Sequence, residues 1–148
     1  ALAVLSNLWL QPAGQLVFDS RVAGYSLAEA RAFLEVLNAD QVALYLGLFR
    51  WIDTVFPVLL AVTLVALIAN RKGRDLLRGV AAIAAFLYLF FDLRENALVA
   101  RMLKASENLS EELVASASMA TMVKWGALAV SFGVLLWVIW RERRGARI

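Results

Sequence analysis

The sequence predicts an all-α polytopic membrane protein, a bundle of four transmembrane helices with a short amphipathic helix in its first outside loop. Three observations lead there. The chain of 148 residues is 62% hydrophobic with a mean hydropathy of +0.72, whereas apolar residues make up about half of a soluble domain. Its apolar residues gather into long helix-compatible stretches separated by polar segments. Eight of the fifteen basic residues form two blocks beside those stretches, Arg71, Lys72, Arg74, Arg78 and Arg141, Arg143, Arg144, Arg147, which is the positive-inside pattern. Residues 1–148 are expected to form one transmembrane domain.

The first helix is expected over 1–18, a stretch without formal charge that contains Leu5, Leu8, Trp9 and Leu10. Pro12 and Gly14 weaken its second half, and a cleaved signal or an interfacial segment is the rival reading. Asp19 to Asp40 is a polar connection with its own helix over 26–37. Ser26 and Glu29 have the spacing of a capping box there, and Leu27, Ala30, Phe33, Leu34 and Leu37 recur at helical spacing. This helix is expected to lie on the membrane or to cap the bundle.

Asp40 is a candidate cap for the second span, 41–70, which at about 45 Å exceeds a hydrocarbon core of about 30 Å and so projects or tilts. The basic segment Arg71 to Arg78 follows as a cytoplasmic loop, and the third helix runs over 75–105 without an internal Pro. Ser106 to Ser118 is expected as a polar outside loop or short helix, with Ser110 as N-cap. The last span, 119–141, closes with Trp137 and Trp140 in an interfacial belt ahead of the basic tail. Its small residues Gly126, Ala129, Val130 and Gly133 suggest a close-packed face. The chain is thus expected in a bacterial inner membrane or its equivalent, with both termini cytoplasmic.

Composition also excludes chemistry. There is no cysteine and no histidine, so disulfides, thiolate ligands and cysteine nucleophiles are ruled out, and no haem or zinc site is expected. The net charge of +3 does not imply nucleic acid, because the basic blocks flank apolar spans. The expected surroundings are the lipid bilayer and either an amphiphilic small molecule or a membrane-protein partner.

The informative stretch is Phe86 to Met102, FLYLFFDLRENALVARM, where ionisable residues sit inside an apolar helix. Such residues cost roughly 2.5–3.5 kcal/mol each at the centre of an inserting helix, which makes them functional candidates. Counted from the cytoplasmic helix ends, Asp53, Asp92, Glu95 and Lys124 lie about 26, 20, 24 and 24 Å deep, in one layer toward the outside. Asp92, Glu95 and Asn96 share a face with Tyr88 and Val99 by i, i+3, i+4 spacing, and Arg50, Asp53, Thr54 and Pro57 share another. Pro57 has no N–H to offer the Asp53 carbonyl, which leaves a free acceptor beside that carboxylate.

Several uses of this layer stay open. Arg50, Arg94 and Lys124 can neutralise Asp53, Asp92 and Glu95 in a purely structural ion-pair network, although Arg94 points about 100° away from Asp92. A pocket can instead hold a cationic or amphiphilic ligand, with Arg50, Asp53, Tyr88, Asp92, Glu95, Asn96 and Lys124 as binding residues and Trp51, Phe56 and Phe91 as apolar wall. Asp53, Asp92 and Glu95 are the catalytic candidates for an acid/base isomerase or hydrolase acting on a lipid-like substrate. With Asn96 they are candidate ligands for a hard cation such as Mg²⁺ or Ca²⁺. Ion conduction finds few polar groups in the cytoplasmic halves, and a structural accessory subunit is a different class again. The favoured expectation is binding without turnover.

Overall fold

The computed structural model describes residues 15–71 and 75–145. Residues 1–14 of the expected first span lie outside that range. Its last part does not continue as a helix: Val17 is extended, and Phe18–Ser20 forms a 3-10 turn. Packing accounts for the difference, because Val17 and Phe18 are driven inward, at 1% and 0% exposure, and pull the chain off a helical path.

The turn leads to Gly24, whose φ of +83° suits glycine. A β-carbon there would lie 2.7 Å from Ser118 Oγ. The next residue donates its backbone N–H to the same hydroxyl at 2.8 Å, so the loop is pinned against the last helix. Helix α1 (Leu27–Glu35) follows behind the expected capping box. Glu29 N donates to Ser26 Oγ at 3.3 Å, and Ser26 N donates to Glu29 Oε2 at 2.7 Å. These bonds hold the exposed Glu29 carboxylate below its ordinary pKa of 4.5. Ala30 and Phe33 are fully buried, and α1 caps one end of the bundle.

Helix α2 spans Ala39–Ala69. Its cap is Asn38 rather than Asp40: Gln41 N donates to Asn38 Oδ1 at 2.8 Å and Asn38 N to Gln41 Oε1 at 3.0 Å. An Asn–Gln pair three residues apart satisfies two orphan donors, whereas Asp40 lies one residue inside the helix. A π turn at Tyr45–Phe49, with Gly47 off helical dihedrals, interrupts α2 before Arg50. Helix α3 is Asp75–Lys104 and helix α4 is Glu111–Gly145.

The expected outside loop at Ser106–Ser118 is much shorter than its polarity suggests. Ser110 accepts from Leu113 N at 3.2 Å and starts α4 there. The first turns of α4 are then held by Val114 and Ala117, buried at 1% and 0% exposure.

Two stripes explain how α3 and α4 meet. Ala81, Ala85, Tyr88, Asp92, Glu95, Val99 and Met102 are all buried on α3. On α4 the inward stripe is Val114, Ala117, Thr121, Lys124, Leu128, Ser131, Leu135 and Val138, with Leu128 half-buried. Both recur by alternating threes and fours, the spacing of an antiparallel left-handed seam. α2 packs along α3 but touches α4 only sparsely, so α3 is the central helix. The expected close-packed face of α4 is exposed instead. A methyl group on Gly126 or Gly133 would meet nothing within 4 Å, because the packing seam lies on another side of the helix.

Three helices, Ala39–Ala69, Leu76–Lys104 and Glu111–Arg144, are long and apolar enough to cross a membrane. Leu59, Val62, Ile83, Phe86 and Leu136 are exposed on them, which suits contact with lipid. Two apolar clusters fill the interior. One, around Phe18, Phe33, Met102 and Val114, joins α1 and the loop to the long helices. The other, around Leu64, Ala85 and Leu135, lies near the basic end. At that end Arg144 stacks 4.0 Å from the Trp140 ring and Arg141 lies 5.4 Å from Trp137.

Candidate functional site

Between the two apolar clusters the α3–α4 seam turns polar. The spacing that buries Tyr88 and Val99 also buries Asp92 and Glu95, and one turn pattern on α4 brings Thr121 and Lys124 opposite them. Lys124 is 1% exposed, and its ammonium contacts Asp92 Oδ1 at 3.1 Å, Glu95 Oε2 and Asp19 Oδ1. Thr121 donates to the other Glu95 oxygen at 2.5 Å. Three carboxylates therefore share one ammonium.

Asp19 is the member that sequence reasoning placed in a solvated outside loop. The 3-10 turn carries it into the layer because Val17 and Phe18 are buried beside it, and Trp125 Nε1 fixes the turn by donating to the Asp19 carbonyl at 2.9 Å. The available signal was the Val17–Phe18 pair, an apolar anchor immediately before an acid. Tyr25, on the same loop, is buried, and its hydroxyl has no hydrogen-bond partner among the described residues. It faces Glu95 and Thr121. Burial first, and then the charge of Glu95, push this phenol above its ordinary pKa.

On α2 the acceptor left free by Pro57 is taken up. Asn96 Nδ2 donates to the Asp53 carbonyl at 2.8 Å and lies 3.3 Å from Asp92 Oδ2. The Asp53 carboxylate itself has no hydrogen bond or ion pair among the described residues. It lines a partly enclosed cleft of about 200 Å³ in the gap between α2 and α4. Asp19, Asp92 and Lys124 form the polar wall, Phe56, Tyr88 and Trp125 the aromatic wall, and Pro57, Leu60 and Leu128 the apolar remainder.

The other expected residues stand differently. Arg50 is exposed and shares a separate small crevice with Asp53 and Asn96, without an ion pair to Asp53. Arg94 is exposed on the far face of α3. The balanced network of three acids and three bases is thus not formed: helical spacing points Arg94 away from the seam, and Arg50 is exposed despite the face it shares with Asp53. Trp51 is 72% exposed and Phe91 packs into the loop-side cluster, so neither lines the cleft.

The expected metal set also changes. The carboxylate oxygens that come within 4.8 Å of one another belong to Asp19, Asp92 and Glu95, and the Lys124 ammonium lies among them. Asp53 is not in that group, and the Asn96 amide nitrogen is directed at the Asp53 carbonyl and Asp92.

The chain matches no protein-family model, no curated protein and no solved structure. The chemistry of the layer must therefore be read from its own residues. Polar groups at the inward positions of a helix seam fix register, which is a sufficient role for Lys124 with Asp92 and Glu95. It does not account for Asp19 and Asp53, which lie off the seam, or for the cleft they line.

Proposed function

We propose that this is a small integral membrane protein that binds a cationic amphiphile, without turnover, in the cleft between α2 and α4. The observation that carries the reading is the Asp53 carboxylate, which has no ion pair among the described residues and lines a cleft with an aromatic and apolar wall. A charged head group fits against Asp53, with Phe56, Tyr88 and Trp125 able to face a cation with their rings. About 200 Å³ suits a head group, and Pro57, Leu60 and Leu128 continue the cleft with apolar surface for a chain. Lys124 plays the part of a resident cation that keeps Asp19, Asp92 and Glu95 in place.

In this reading the membrane is a bacterial inner membrane or its equivalent. The basic segments around Arg71 and Arg144 face the cytoplasm, which puts the cleft toward the opposite side.

The test is thermal unfolding in a non-ionic detergent with dodecyltrimethylammonium, with dodecanol as the neutral comparison. The cation is expected to raise the melting temperature of the wild type, and dodecanol is not. Asp53→Asn, which keeps the carbonyl that accepts from Asn96, is expected to weaken cation binding at least tenfold. Equal stabilisation by both amphiphiles, or an unchanged affinity in the variant, would reject the site.

A further inference from the structure

We infer that the cleft releases a proton for each cation it takes up, an exchange that rests on the binding reading above. Charge balance carries it. Asp19, Asp92 and Glu95 surround the single ammonium of Lys124, and Asp53 adds a fourth carboxylate to the same cleft. The nearby guanidinium groups do not make up the difference. Arg50 and Arg94 are exposed and unpaired to these acids. Arg21 donates to the Leu16 carbonyl at 3.0 Å and stacks over Phe18, Tyr25 and Phe33 at 5.6, 5.8 and 5.5 Å.

The remaining titratable groups facing the acids are the phenols of Tyr25 on the loop, Tyr45 on α2 and Tyr88 on α3. None of them adds positive charge. Four ionised carboxylates around one ammonium would leave a net charge far from zero among buried apolar residues, where water cannot solvate it. Without a bound cation the cleft therefore holds at least one acid in its protonated form. A permanent cation entering beside Asp53 supplies the missing positive charge, and the protonated form is no longer favoured. One carboxyl O–H bond breaks, its proton passes to water or buffer, and the charge inside the cleft is conserved.

The Tyr25 hydroxyl, buried without a hydrogen-bond partner among the described residues, is a second sign that the layer is not closed within itself.

The experiment is calorimetric titration of the full chain with dodecyltrimethylammonium, whose charge is permanent and which brings no proton of its own. It is run in non-ionic detergent from about pH 5 to about pH 9, at each pH in two buffers that each titrate close to that pH. These buffers differ in ionisation heat, so the difference between the two curves counts protons. Release of close to one proton per bound cation is expected over the acid part of the range. The dissociation constant should fall about tenfold for each pH unit there and level off once the proton is lost. Saturable binding with identical heats in both buffers and a pH-independent affinity would overturn the exchange and leave the binding site standing. No saturable binding at any pH would overturn the binding reading, and the exchange with it.

Discussion

Lys124 is the residue on which the polar layer turns. Its ammonium is the shared counter-ion of Asp19, Asp92 and Glu95, at 1% exposure. Removing one member of a buried ionic group leaves uncompensated charge, at a cost of about 3–5 kcal/mol. Lys124→Met conserves length and apolar stem, so its effect isolates the charge. It is expected to lose about that much stability in denaturant titrations, while Lys104→Met, at an exposed position, should change it by less than about 0.5 kcal/mol. Equal losses would show that the layer is not a coupled unit. Depth counting along the helices made the meeting of Asp92, Glu95 and Lys124 legible in the sequence, since rise per residue is fixed. The arrival of Asp19 was not legible, because a loop residue's depth depends on where Val17 and Phe18 find a core. The outward turn of Arg94 followed from its 100° offset, whereas that of Arg50 ran against its shared face with Asp53.

At the scale of elements, α2 and α3 are joined by a helix defect. Pro57 removes a donor from the Asp53 carbonyl, and Asn96 replaces it from the neighbouring helix at 2.8 Å. Asn96→Leu should therefore cost about 1–3 kcal/mol by stranding that carbonyl. In a Pro57→Ala background the backbone N–H returns to the helix, and the same substitution should cost clearly less. A double-mutant cycle reads the difference directly, and additive effects would dissolve the link. For α2 and α3 the expected bounds, 41–70 and 75–105, lie within a residue or two of Ala39–Ala69 and Asp75–Lys104. The start of α4 does not match: Ser110 to Ser118 is polar in composition, yet Val114, Ala117 and Thr121 continue the inward three–four pattern of the seam. Polarity had outweighed periodicity. The same seam explains why the small residues of α4 stay exposed, since a helix can turn only one stripe toward α3.

For the whole molecule, the long helices and the sidedness of the basic blocks make a joint prediction. The chain has no cysteine, so single cysteines report cleanly on membrane sidedness. Ser110→Cys, between α3 and α4, should react with an impermeant maleimide from the non-cytoplasmic side. Arg144→Cys should react only after the membrane is opened. Labelling of both from one side would contradict a spanning α4. The hairpin of α3 and α4 has a further consequence for biogenesis. Its two arms are joined through the short turn Ser106–Asn108, and Asp92, Glu95 and Lys124 meet across it. Inserted singly, each arm would carry its ionised groups into lipid at roughly 2.5–3.5 kcal/mol apiece. Delivered together, the arms neutralise one another's charge, so α3 and α4 are expected to enter a membrane as one hairpin.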